Sequence, residues 1–137
     1  MIIVLSTYPS KETAHSSARK IVESELAACV SIIKIHDSIY KWEGKIEENS
    51  EYLLIIKTTK KAYPQLEKFI KDKHPHDVPE VIYLEIKGGE KEYLQWVSSN
   101  TLSKLLRVPL DLSTMKRASD PPSKELKSAK NPNTLSR

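Results

Sequence analysis

Cys29 is the only cysteine in this 137-residue chain, and so the only thiolate ligand the sequence offers. Thiolates suit Cu(I), zinc and other thiophilic ions, with histidine as the usual companion. Two histidines, His74 and His76, flank Pro75 in the string HPHDVPE, and Asp77 and Glu80 follow them. Imidazole and carboxylate both bind divalent ions. Ligands at i and i+2 do not close a site, so further donors have to come from elsewhere in the fold or from another subunit. The candidate metal ligands are Cys29, His74, His76, Asp77 and Glu80. Plainer readings stand beside these. A free cysteine is often a small buried hydrophobe, and a histidine before proline can end a helix, with Asp77 making a turn.

Tyr40, Trp42 and Glu43 cluster with Lys41 and Lys45. They could line a ligand cleft, or pack against a neighbouring subunit as interface aromatics do. Glu47, Glu48 and Glu51, with Asp37 opposite, read as the solvated face of a strand whose charges discourage wrong edge pairing. Catalysis finds no support. There is no nucleophile elbow, no GxGxxG dinucleotide fingerprint, no Walker A loop and no HExxH zinc helix. The sequence reads as a non-enzymatic protein that requires no cofactor.

The element that must position most of these residues is unusually long. Residues 27–59 run AACVSIIKIHDSIYKWEGKIEENSEYLLIIKTT, rich in Ile, Val, Tyr, Ser and Thr, without proline and with a glycine at the middle. They read as two strands folded about Glu43-Gly44. Each arm runs about 14 residues, where a globular strand has about 5 or 6. At roughly 3.3 Å per residue an arm reaches about 46 Å, while a compact domain of this size is about 35 Å across. The hairpin should overhang its own domain and expose backbone donors and acceptors that proteins normally cover. The simplest cover is another copy of the chain.

The other elements are of ordinary length. IIVLST at 2–7 is a short apolar strand. Ser10 is a helix N-cap, and Ala14, Ala18, Ile21, Val22 and Leu26 form one apolar stripe along a helix over 11–26. A second helix over 61–73 carries Ala62, Leu66, Phe69 and Ile70 on one face, with Pro64 in its first turn. VIYLEI at 81–86 is another strand, and a third helix spans 90–106 with Tyr93, Leu94, Val97 and Leu105. The order β-α-β-β-α-β-α predicts an α+β, ferredoxin-like split β-α-β fold. Its sheet has four antiparallel strands with two helices on one face.

Residues 1–106 form the expected domain, and 107–137 a basic, Pro- and Ser-rich tail expected to be disordered. The tail holds seven Lys and Arg against three Asp and Glu, which leaves fifteen of each in residues 1–106. The net charge of +4 therefore belongs to the tail and argues against a nucleic-acid face on the domain. A ferredoxin-like RNA-recognition module would also need stacking aromatics on the first strand, and residues 2–7 carry none. No apolar run approaches the roughly 20 residues of a membrane helix. The opening MIIVLSTYP lacks a basic lead and a cleavage site. A lone cysteine fits a reducing compartment. The expected setting is the cytoplasm.

Three strings in fixed order carry a resemblance: AACVSI at 27–32, SIYKWEGKIEENSEYLLIIKT at 38–58 and HPHDVPEVIYLEI at 74–86. With GGEKEYLQWV at 88–97, they are similar to the CutA family of divalent-cation-tolerance proteins over residues 1–104. Two features depart from the family pattern: an aromatic usually stands where this chain has His76, and the family usually ends soon after the third helix. The resemblance implies a homotrimer in which long hairpins complete neighbouring sheets. It also implies a role in tolerance or response to divalent metal ions, copper among them. A shared architecture with the PII signalling proteins implies, as the alternative, a small effector held in intersubunit clefts near Lys57, Glu80 and Trp96. Tyr40, Trp42, Lys57 and Trp96 are then the cleft residues.

Overall fold

The structure, a computed structural model, describes residues 1–102. Their elements are β1 (Ile2–Tyr8), α1 (Lys11–Glu23), β2 (Cys29–Trp42), β3 (Lys45–Thr58), α2 (Tyr63–Lys73), β4 (Ile82–Glu85) and α3 (Lys91–Ser99). The strands form one antiparallel sheet in the order β2-β3-β1-β4, the split β-α-β arrangement the sequence predicts. The core lies between one face of this sheet and the helices. Ile2, Val4, Tyr8, Leu54 and Ile56 pack there against Ala14, Ala18 and Ile21 of α1 and Leu66, Phe69 and Ile70 of α2. Alternate residues of β1 and β3 point into this core because side chains on a strand alternate between faces.

Local chemistry sets the helix ends. Ser10 Oγ accepts the Thr13 amide at 3.1 Å, capping α1 as its residue type predicts. The helix stops at Glu23, three residues short of the expected Leu26. Glu25 takes a φ of 60°, the Leu26 amide bonds Ile21 O at 3.0 Å, and the Glu25 amide bonds Val22 O at 3.0 Å. This is a left-handed C-terminal cap, and it turns Leu26 back into the core, where it is fully buried. Pro64 occupies the first turn of α2, and His74 is the C-cap residue that ends it. The 103–106 part of the expected third helix and the 107–137 tail lie outside the described residues.

The hairpin has two 14-residue strands. Glu43 and Gly44 both take positive φ, 51° and 79°, the pairing of a type I′ turn, whose twist matches that of the strands it joins. Between the pairs Ile35–Glu51 and Ser38–Asn49, His36 and Asp37 oppose a single residue of β3. This β-bulge was not read from the sequence. Its extra residue reverses the side-chain alternation of β2 beyond it.

Candidate functional site

The face of the sheet away from α1 and α2 carries the chemistry. Ile3, Leu5, Leu53 and Ile55 lie on it half-buried. Ile33, Ile82 and Leu84 beside them are 48, 53 and 57% exposed. At one end of this apolar face stands a polar group. Cys29 and Lys57 are register partners across β2 and β3. Lys57 Nζ donates to Ser31 Oγ at 2.8 Å and lies 3.8 Å from Cys29 Sγ. Cys29 is a free, half-buried thiol on the open face, and so it is not the core filler of its plainer reading. Ser31, two residues from Cys29 and hence on the same face, escaped the sequence reading although period-two spacing pointed to it.

The other metal candidates are elsewhere. His74 is buried, with Nε2 2.6 Å from Thr7 O and Nδ1 accepting the His76 amide at 3.1 Å. Both ring nitrogens thus lie against backbone groups, and His74 also ends α2. The His74 ring packs between Tyr8, at 4.3 Å between ring centroids, and His76, at 4.7 Å. His76 is itself buried. Burial pushes the His74 imidazole down to about 3, with His76 adding to the fall and the Thr7 carbonyl opposing it. Burial alone lowers His76 to about 4. Asp77 is exposed.

Glu80 is exposed at its rim, yet partial desolvation, and then the nearby Glu51 carboxylate, hold its carboxyl above the ordinary range. Glu51 is only 3% exposed, which corrects the expectation that it belongs to a solvated acidic strand face. Glu51 and Lys57 are six residues apart on β3, about 20 Å at strand rise. The Glu80 and Cys29 ends of the site are therefore well separated. Among the described residues no group of three or more His, Cys, Asp and Glu comes together as a metal cage. A single chain does not assemble Cys29, His74, His76, Asp77 and Glu80 into one set.

The expected ligand cleft is equally dispersed. The bulge places Tyr40 and Trp42 on the same side as Lys45, Glu47 and Asn49, and Tyr40 Oη accepts from Asn49 Nδ2 at 2.8 Å. Lys45, the partner of Trp42, is twelve residues along β3 from Lys57, about 40 Å. Trp96 lies on α3, 45% exposed and 5.8 Å from Tyr93 between ring centroids. A groove of about 510 Å³ runs between α1 and the edge strand β2, lined by His15, Arg19, Val22, Val30 and Ile32 among others. Among the described residues no helix is long and apolar enough to cross a membrane.

Known proteins share this architecture. Residues 2–100 match the family model described as CutA1 divalent ion tolerance protein. The divalent-cation tolerance protein CutA of Thermus thermophilus is 46% identical over 99 residues, 72% of this chain and 96% of the relative. The human protein CutA is 47% identical over 97 residues, 71% of this chain and 54% of the relative. The chain thus spans about half the length of that relative. The chloroplastic CutA protein of Arabidopsis thaliana is 44% identical over 100 residues, 73% of this chain and 55% of the relative. Among solved structures, the Thermus thermophilus protein superposes with a TM-score of 0.72, covering 74% of this chain and all of the other. The CutA1 structure from Oryza sativa, 44% identical, gives 0.73 over 75% of this chain and 94% of the other. The chain belongs to the CutA1 divalent ion tolerance protein family.

Proposed function

We propose that this protein serves divalent-cation tolerance as a non-enzymatic homotrimer that binds metal ions, with copper the ion best matched to Cys29. The observation that carries the reading is the apolar surface that the chain leaves exposed on the open face of its sheet, at Ile33, Ile82 and Leu84. Among the described residues β1 pairs with β3 as far as Tyr8–Tyr52, and beyond it residues 45–51 pair with β2 as a two-stranded ribbon of about 23 Å. The strand edges of β2 and β4 lie at opposite sides of the sheet, so a head-to-tail contact between them closes a ring of three where each subunit is turned by a third of a revolution. The groove beside β2 and the open apolar face then become subunit contacts. Three such faces turned toward one another gather three copies of the Cys29–Ser31–Lys57 group.

Thiolate chemistry favours Cu(I) over harder divalent ions at Cys29. The compartment we propose is the cytoplasm, where a thiol stays reduced. Sedimentation should return three times the chain mass of 15.6 kDa. Titration with Cu(I) should show binding that Cys29→Ser weakens. A monomer at micromolar concentration, or copper affinity unchanged in that variant, rejects the corresponding half of the reading. The alternative, an effector-binding signalling module, draws on Lys57, whose ammonium is held on the open face by the neutral partner Ser31. A rise in melting temperature with a nucleotide or organic anion, lost in Lys57→Met, would favour it.

A further inference from the structure

We propose that Tyr83 of one copy, backed by its neighbour Tyr63, seats in the groove between α1 and β2 of the next copy. The seat rests on the ring contact between β4 and β2, and it names the side chain that fills the groove there.

Strand alternation and register place both partners. Val4 and Ile56 point into the core beneath the helices. Tyr83 is the register partner of Val4, and Val30 that of Ile56, so Tyr83 and Val30 share the helix-covered face of the sheet. Val4 and Ile56 are themselves partners. Val30, Ile56, Val4 and Tyr83 thus stand in one row across the sheet, with Val30 on the β2 edge and Tyr83 on the β4 edge. Rotation in a closed ring adds no shift along its axis. In a ring whose strands run along that axis, the row of one copy continues into the row of the next. Tyr83 then arrives level with Val30, a wall of the 510 Å³ groove that also takes in Ala18, Val22 and Ile32.

The two surfaces suit one another. Tyr83 is 40% exposed, and its ring centroid lies 4.7 Å from that of Tyr63, the first residue of α2. The groove it meets is walled by aliphatic side chains, with Val22 also 40% exposed. A tyrosine buries about 150–250 Å² in such a contact and keeps its hydroxyl at the wet rim. Charges flank both surfaces. Glu85, two residues from Tyr83 on the same face, pairs with Lys60 at 3.1 Å. Arg19 and Glu23, both in the lining of the groove, pair at 3.2 Å. Each surface offers one cation and one anion, so Glu85 can face Arg19 while Lys60 faces Glu23. Complementary charges of this kind set the register of a contact more than its strength. Tyrosine and groove lie at opposite edges, so the contact is heterologous and each copy gives one tyrosine and receives one.

Disulfide trapping in the full-length protein tests the seat, with Val22→Cys and Tyr83→Cys combined in a Cys29→Ser background. A disulfide needs Cα atoms within about 7 Å. Mild oxidation should give covalent species of two and three times the 15.6 kDa chain mass on a non-reducing gel. Neither new cysteine alone should give the three-chain species. A wild-type trimer whose double-cysteine variant forms no covalent link overturns the seat and leaves the ring contact standing. A lone wild-type chain in sedimentation overturns both. Covalent dimers from either single cysteine would mean a contact between like residues and overturn the seat as well. Should the double-cysteine variant fail to fold, Val22→Arg decides. It should raise the concentration of half-dissociation at least about tenfold, and an unchanged value overturns the seat.

Discussion

Tyr8 and Tyr52 are the last residue pair joining β1 to β3, and the β-bulge at His36–Asp37 begins immediately beyond that point. The adjacent pair Ile35–Glu51 is the last in register before it. The chain therefore changes twist where the four-stranded sheet narrows to a two-stranded ribbon, as bulges at sheet margins do. A ribbon of two strands is marginal alone in water. The proposed trimer would supply further support along its length.

Leu84→Asp separates a supported sheet from a solitary one. Leu84 is 57% exposed on the open face, and in a solitary chain an exposed substitution changes stability by less than about 0.5 kcal/mol. In the proposed trimer the same side chain would be buried between subunits, where an unpaired carboxylate is strongly destabilising. The expected outcome is dissociation at micromolar concentration and a lower melting temperature, read by sedimentation and calorimetry. A trimer unchanged in mass and stability would remove the open face from the subunit contact.

Glu43→Asn addresses the turn. Glu43 holds a φ of 51°, a left-handed conformation that costs an ordinary side chain about 1–2 kcal/mol and asparagine less. Asn-Gly is the preferred pair for a type I′ turn. The substitution should stabilise the protein by roughly 0.5–1 kcal/mol in denaturant unfolding. Destabilisation would show that the Glu43 carboxylate makes a contact worth more than the strain.

Much of this fold could be read from spacing because its elements are locally consistent. Ser10, Pro64 and Gly44 each punctuate the chain where their chemistry demands, and the apolar stripe of α1 needs no tertiary context. What escaped was non-local or broke a local preference. Glu25 ends α1 in a conformation that glycine usually takes, so nothing in its type announced the stop. The bulge at His36–Asp37 depends on pairing with β3, which alternation along β2 alone does not reveal. The burial of Glu51 and the stacking of His74 on Tyr8 join positions far apart in sequence. Cys29 was legible as a reactive type, but its Lys57 and Ser31 neighbours required the strand register.

Ile56→Ala probes the centre of the sheet. Ile56 is fully buried between β1 and β2, paired with Val4 and Val30. Truncating a buried isoleucine removes transfer free energy and leaves a cavity, together costing about 2–5 kcal/mol. Denaturant unfolding at fixed protein concentration should show a loss in that range. A loss below about 1 kcal/mol would mean the surrounding helices collapse into the space.

Thr58→Val tests how the hairpin pins the end of α1. Thr58 Oγ1 donates to Leu26 O at 2.6 Å, with both groups buried, and the Ala28 amide bonds Lys57 O at 3.0 Å one step along. Valine keeps the volume of threonine but removes the donor, leaving the Leu26 carbonyl buried without this partner. Such a loss costs about 1–3 kcal/mol. Thr58→Ser keeps the donor and gives up one methyl group, about 1 kcal/mol by transfer. If the hydrogen bond fixes the turn from α1 into β2, valine should lower stability more than serine in calorimetry at equal concentration. The reverse order would show that methyl packing against the core, and not the hydroxyl, holds that corner.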